Sequence, residues 1–173
     1  MDFRDVTKLA FVEYKGALEK ALDGLTPAEL RWQPSPNANH ALWLAWHIAR
    51  VEDSWVNRYL AGGEELWQSE GWSERLGVPA EGGGYGYTAE DVAAFPDVAI
   101  AEVTAYHDAV RASVLPVIDA LSESDLEKSY ENRRGRRTAA PTVAWVLAHI
   151  AIEEAQHVGQ IAYIRGMLRG LGG

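Results

Sequence analysis

The spacing of apolar residues leaves this chain few choices of fold. Four long stretches place apolar positions at helical intervals, and no stretch makes a convincing strand. "DFRDVTKLAFVEYKGALEKALDGL" is the first and ends near Gly24. In "LTPAEL", Thr26 is a natural N-cap, Pro27 sits at the first helical position and Glu29 completes a capping box, so a short helical turn is expected there. The Pro- and Asn-rich "QPSPNAN" leads into "HALWLAWHIARVEDSWVNRYLAGG", a second long helix stopped by Gly62 and Gly63. Thr88 and Asp91 start a short helical piece before Pro96. "DVAIAEVTAYHDAVRASVLPVIDAL" is the third long helix, which Pro116 should kink or bring to its last turns. "LSESDL" repeats the logic of "LTPAEL", and "TVAWVLAHIAIEEAQHVGQIAYIRGMLRGL" is the fourth, starting close to Thr142 and ended by Gly170, Gly172 and Gly173. The pattern predicts an all-α four-helix bundle with a long crossover connection between helices 2 and 3.

Size and composition narrow the classes. A chain of 173 residues, 47% of them hydrophobic, is expected to form one domain over residues 1–173 with one well-filled core. No apolar run approaches the ~18 residues of a membrane span, and "MDFRDVTKLAF" lacks the basic-then-apolar pattern of a signal peptide. A cytoplasmic protein without a membrane partner is therefore expected. The formal net charge of −9 argues against general nucleic-acid binding, which needs a basic face. "RRGRR" at 133–137 reads as a solvated loop between helices, with an anion-contacting loop as the lesser alternative. With no cysteine in the chain, disulfides, thiolate metal sites and a cysteine nucleophile are excluded, and any metal must be held by His, Asp or Glu.

Residues 62–88 read as a long irregular connection. Connections of that length are often lids or binding loops. Its "EGGGYGY" lacks the Lys-Ser/Thr of a phosphate loop and follows no strand, so nucleotide binding is set aside. Tyr85 and Tyr87 are placed to cover a pocket, and Trp67 and Trp72 are the stronger candidates for a movable cover. Among the seven Trp and seven Tyr, Trp43, Trp46, Trp55, Trp145 and Tyr163 read as core or dimer contacts, and a homodimer fits so aromatic a chain.

The halves resemble each other. "WLAWHIARVED" (43–53) and "WVLAHIAIEEA" (145–155) place Trp, His-Ile-Ala and acidic residues at nearly matching positions, each preceded by a capping-box turn. Two hairpins of common ancestry would make His47 and His149 related residues.

"HIAIEEAQHVGQ", residues 149–160, puts His149, Glu153 and His157 on one helix face at successive i, i+4 steps. Eight residues span about 12 Å of helix axis, whereas ligands sit ~2.0–2.2 Å from their ion. The helix can thus offer His149 with Glu153, or Glu153 with His157, and spacing does not choose. A third ligand must come from another helix, and His47, in an otherwise apolar run, is the best donor, although a core histidine bonded to a carboxylate or carbonyl reads the same way. Gly159 allows a close helix approach, and Gln160 is placed to hydrogen-bond near the site. Glu154 points about 100° away from Glu153 on the helix. Glu52 and Asp53 read as solvated surface, or as groups that orient imidazoles. His107 reads as exposed beside Asp108, without a special role.

"H-x-G-Q" near the C-terminus, a ligand-type residue four positions before it, and "WLAWHIARVED" on the second helix resemble the DinB superfamily. The resemblance covers nearly the whole chain, from the "LTPAEL" turn to the last helix. It implies a four-helix bundle with a metal site at one end. Most members carry three histidines, with His-x-x-x-His in the last helix; here Glu153 takes the first of those places. A His, Glu, His set of this kind is similar to the mycothiol-dependent maleylpyruvate isomerases. By that similarity His47, Glu153 and His157 are the ligands, and His149 is an alternative ligand or lies behind them. The ion implied is Zn²⁺ or Ni²⁺ first, Mn²⁺ or Fe²⁺ next. Some members are S-transferases or isomerases that use bacillithiol, mycothiol or glutathione, so a small-molecule substrate and a low-molecular-weight thiol are implied. The competing reading is a non-catalytic metal-binding stress-response or sensor protein.

Overall fold

The computed structural model describes residues 1–131 and 140–170. The basic stretch 133–137, Gly172 and Gly173 lie outside the described residues. Helices account for the fold, and no strand occurs among the described residues beyond one isolated bridge between Ser129 and Thr142. The four long helices are α1 (Phe3–Leu22), α3 (Ala41–Asp53), α7 (Ile100–Ala120) and α8 (Val143–Arg169). The short turn α2 (Pro27–Leu30) carries the expected capping box, with Thr26 accepting from the Glu29 amide and Glu29 accepting from the Thr26 amide. α3 packs on both α7 and α8, and α1 packs on α8 and α7.

α3 does not stop where its α-helical pattern ends. Residues Ser54–Leu60 continue it as a π-helical turn. Such wider turns are often found at functional sites. This one sets Ser54, Trp55, Arg58 and Tyr59 into the wall of the large cavity described below. Pro116 lies inside α7, which ends one turn later at Ala120.

The connection is more ordered than its sequence suggests. It contains α4 (Leu66–Ser69) and α5 (Trp72–Leu76), followed by α6 (Ala89–Ala93) with its Thr88–Asp91 capping box. Trp67 and Trp72 are buried core rather than a movable cover. The Trp67 ring packs 5.1 Å from Tyr106 and 5.9 Å from Trp46, and Trp72 packs 5.4 Å from Tyr106. Large rings that find such neighbours bury too much apolar area to swing out freely. Asp53 caps α4 from a distance, accepting from the Leu66 and Trp67 amides at 3.0 Å each and from the Tyr106 hydroxyl at 2.7 Å.

Two further expectations reverse. Glu52 is wholly buried rather than solvated, and His107 is buried rather than exposed. Arg111 donates to Glu52 from Nε and Nη2, at 2.7 and 2.6 Å. The Tyr14 hydroxyl lies 2.9 Å from Glu52 and 2.7 Å from His107 Nε2. One residue each from α1 and α3 and two from α7 thus close a polar cluster. A pattern read along one helix cannot see partners that two others supply.

Two outcomes follow. Glu52→Ala leaves the Arg111 guanidinium buried without its partner and should cost about 3–5 kcal/mol in urea denaturation. His40 accepts from the Trp43 amide at 3.0 Å to cap α3, and burial lowers its pKa from 6.5 to about 4. The unfolded chain then binds the extra proton between those values, so this contribution is complete above pH 6.5 and is lost as the pH falls to 4. At 1.36 kcal/mol per unit the loss is about 3 kcal/mol, and His40→Asn, which keeps a capping side chain, should flatten that part of the stability profile.

Candidate metal centre

α3 and α8 bring three side chains to one point. His47 stands on α3, two turns from its N-cap, and is 6% exposed. Glu153 and His157 stand one turn apart on α8. Glu153 Oε1 lies 3.6 Å from His47 Nε2 and 3.3 Å from His157 Nε2, and the two imidazole rings meet edge to face at 5.0 Å. One donor atom from each residue falls within 4.8 Å of the others, a grouping no other His, Asp or Glu residues form among the described residues.

The far side of each imidazole decides what the near side presents. His47 Nδ1 meets the Gly83 carbonyl oxygen, and His157 Nδ1 lies 2.9 Å from Gln160 Oε1. An oxygen acceptor there assigns the proton to Nδ1 and leaves the Nε2 lone pair free. Two lone pairs then face a carboxylate, an arrangement that repels itself until a cation or a proton enters. When an imidazole takes up that proton its Nε2–H donates to Glu153, and such bonds, from His157 first and then His47, hold the Glu153 carboxyl well below the usual carboxylate range, so it is ionised. Burial opposes charge on His157, but its bonds to Glu153 and Gln160 outweigh burial and raise its pKa. Ligands ~2.0–2.2 Å from a tetrahedral ion stand about 3.3–3.6 Å apart, and both measured Nε2–Oε1 separations fall there. The donor set fits a divalent ion.

His47 and Glu153 also line a cavity of about 1170 Å³, bounded by Trp55, Tyr59, Arg58 and His149. His149 does not join the three-residue group. It stacks flat on Trp145 at 4.3 Å and meets the edge of Trp55 at 5.6 Å, one turn before Glu153. Tyr85 is exposed at the cavity rim, while Tyr87 leans on Trp43 and Trp46 at 6.1 Å each. Glu154 is wholly buried, and burial together with the Glu52 charge pushes its pKa well up, so the neighbours Glu153 and Glu154 have opposite characters. The carbonyl of Gly83 was not legible as a functional group. The run of glycines was its only trace in the sequence.

Comparison with known proteins agrees with this picture. The DinB superfamily profile matches residues 10–161, so the chain belongs to the DinB superfamily. No curated protein matches it. Its fold is similar to that of a crystal structure described as the conserved protein of locus from Enterococcus faecalis, at 24% sequence identity and a TM-score of 0.86, covering 98% of this chain and 99% of that one.

Elemental analysis of purified protein should find near-stoichiometric divalent metal. Glu153→Gln and His157→Ala should each reduce it at least tenfold, on the order expected when a ligand of three is lost, while His149→Ala keeps it.

Proposed function

We propose that this protein is a divalent-metal-dependent enzyme, with His47, Glu153 and His157 as ligands and a small molecule as substrate. The four long helices serve as one bundle domain, with α4 to α6 in the crossover between its halves. The observation that carries the reading is the position of the donor group: three ligand atoms converge, and two of the residues that carry them, His47 and Glu153, line a cavity large enough for a substrate. Two imidazoles and one carboxylate suit Zn²⁺ or Ni²⁺, and also Mn²⁺ or Fe²⁺. When bound, such an ion lowers the pKa of a thiol or water placed on it and supplies a nucleophile near neutral pH.

The chain's own residues supply the rest. Glu153 brings one negative charge against the two positive charges of the ion. Trp55 and Tyr59 give the cavity an apolar wall, and Arg58, 3.5 Å from Glu65, brings a cation to its edge. With no cysteine in the sequence, an attacking sulfur must come from a small-molecule thiol. Together with the likeness of the His, Glu, His set to mycothiol-dependent maleylpyruvate isomerases, this favours a thiol-dependent S-transferase or isomerase.

A second reading, a metal sensor without turnover, draws support from the contact between His47 and Gly83, which couples the ligand group to the long connection. Zn²⁺- and Ni²⁺-loaded protein incubated with bacillithiol, mycothiol or glutathione and an electrophilic acceptor decides between them. Adduct formation with one thiol, abolished by Glu153→Gln, is the expected result. Stoichiometric metal that raises the melting temperature while no thiol turns over would reject the enzyme and leave the sensor.

A further inference from the structure

The glycine-rich stretch lies along α3 and α4 and offers its carbonyls, nearly one after another, to side-chain donors. Trp67 Nε1 donates to Pro79 O at 3.3 Å, and Gln68 Nε2 to Ala80 O at 3.0 Å. Arg50 donates to Gly82 O at 3.2 Å, and His47 donates from Nδ1 to Gly83 O. Arg50 and His47 are three residues apart on one face of α3. Arg50 is 3% exposed and fixed on several sides: Glu65 at 2.7 Å, Asp53 at 3.6 Å, and the face of Trp67 at 4.7 Å.

Gly84 makes the approach feasible. Its φ is +94°, and a Cβ there would stand 2.7 Å from both His47 Nδ1 and Trp43 Cζ2. His47 and Trp43 are themselves stacked, 4.8 Å apart and 11° from parallel. The chain thus passes over this stack with no room for a side chain. Gly86, two residues on, has a similar φ of +78° and nothing within 4 Å.

We propose that residues 79–84 form a strap that positions His47 for its ion, and that Arg50 is the positioning residue that keeps the strap seated. The Gly83 carbonyl holds the proton on Nδ1, so Nε2 faces Glu153 as a lone pair. Without that acceptor the ring can carry its proton on Nε2, which blocks the donor atom, or turn away from α8. The consequence for metal binding rests on the proposed metal site; the setting of the His47 ring does not.

The test uses the full chain and two readouts. Nitrogen-15 NMR of metal-free protein at about pH 8.5, above the ordinary imidazole pKa, reports which nitrogen of His47 carries the proton. Chelator competition gives the Zn²⁺ dissociation constant. Wild type should show the proton fixed on Nδ1. Gly84→Ala should lose that signature and weaken Zn²⁺ about 10–100-fold, the range typical when a partner of a metal-bound histidine is removed. Gly86→Ala, which carries the same backbone strain without the clash, should stay within about threefold of wild type. Arg50→Lys keeps a cation against Glu65 and Asp53 but lacks the planar fork, and should fall between the two. It decides the matter if Gly84→Ala loses helical content. A His47 proton exchanging between both nitrogens in wild type, or equal weakening by Gly84→Ala and Gly86→Ala, would overturn the strap. If wild type takes up neither Zn²⁺ nor Ni²⁺, the metal reading fails, and the metal-free NMR comparison alone still decides the strap.

Discussion

α3 is buried along its whole length from Ala41 to Asp53, and it is not an apolar helix. It carries His40, His47, Arg50, Glu52 and Asp53 into the interior, where polar groups need partners that water cannot provide. The neighbouring elements are arranged around that requirement. α1 and α7 bring Tyr14, His107 and Arg111 to Glu52. The connection brings Glu65, Gly82 and the amides of α4 to Arg50 and Asp53. α8 and the glycine strap bring Glu153 and Gly83 to His47. In the first two of these arrangements each carboxylate meets an arginine or a hydroxyl donor. The third, between His47, Glu153 and His157, leaves lone pairs facing a carboxylate beside a cavity, which is why it reads as a site rather than as a packing solution.

The contrast between the adjacent glutamates Glu153 and Glu154 follows from the same geometry. One residue of helix turns a side chain by about 100°. Glu153 emerges beside two imidazoles and is held ionised. Glu154 turns into the interior beside Glu52, where burial opposes its charge. Arg111, 4.0 Å from Glu154, is already engaged by Glu52 through two hydrogen bonds.

The internal repeat survives in three dimensions as a pair of stacks. Trp43 lies flat on His47, and Trp145 lies flat on His149. The matched carboxylates Glu52 and Glu154 both turn inward. Yet the related histidines differ: His47 joins the donor group, while His149 stays in the cavity wall. The strap, with Gly84 at its closest point, lies over the first stack. His149, in the second, lines the same cavity as His47.

The sequence by itself determined what depends on neighbours a few residues away. The long helices, the Thr26 and Thr88 capping boxes, and the pairing of Glu153 with one histidine a turn away are local periodicities, legible without a fold. It left two partners open for Glu153, His149 and His157, and only the resemblance to a family pointed to His157. Tertiary structure decided everything that needs a second element. It buried Glu52, His107, Trp67 and Trp72, gave His47 the Gly83 carbonyl, and set the side of the donor group that opens to the cavity. The physical reason is that periodicity records which face of a helix is apolar but not which polar partner, tens of residues away, will meet the face that is not.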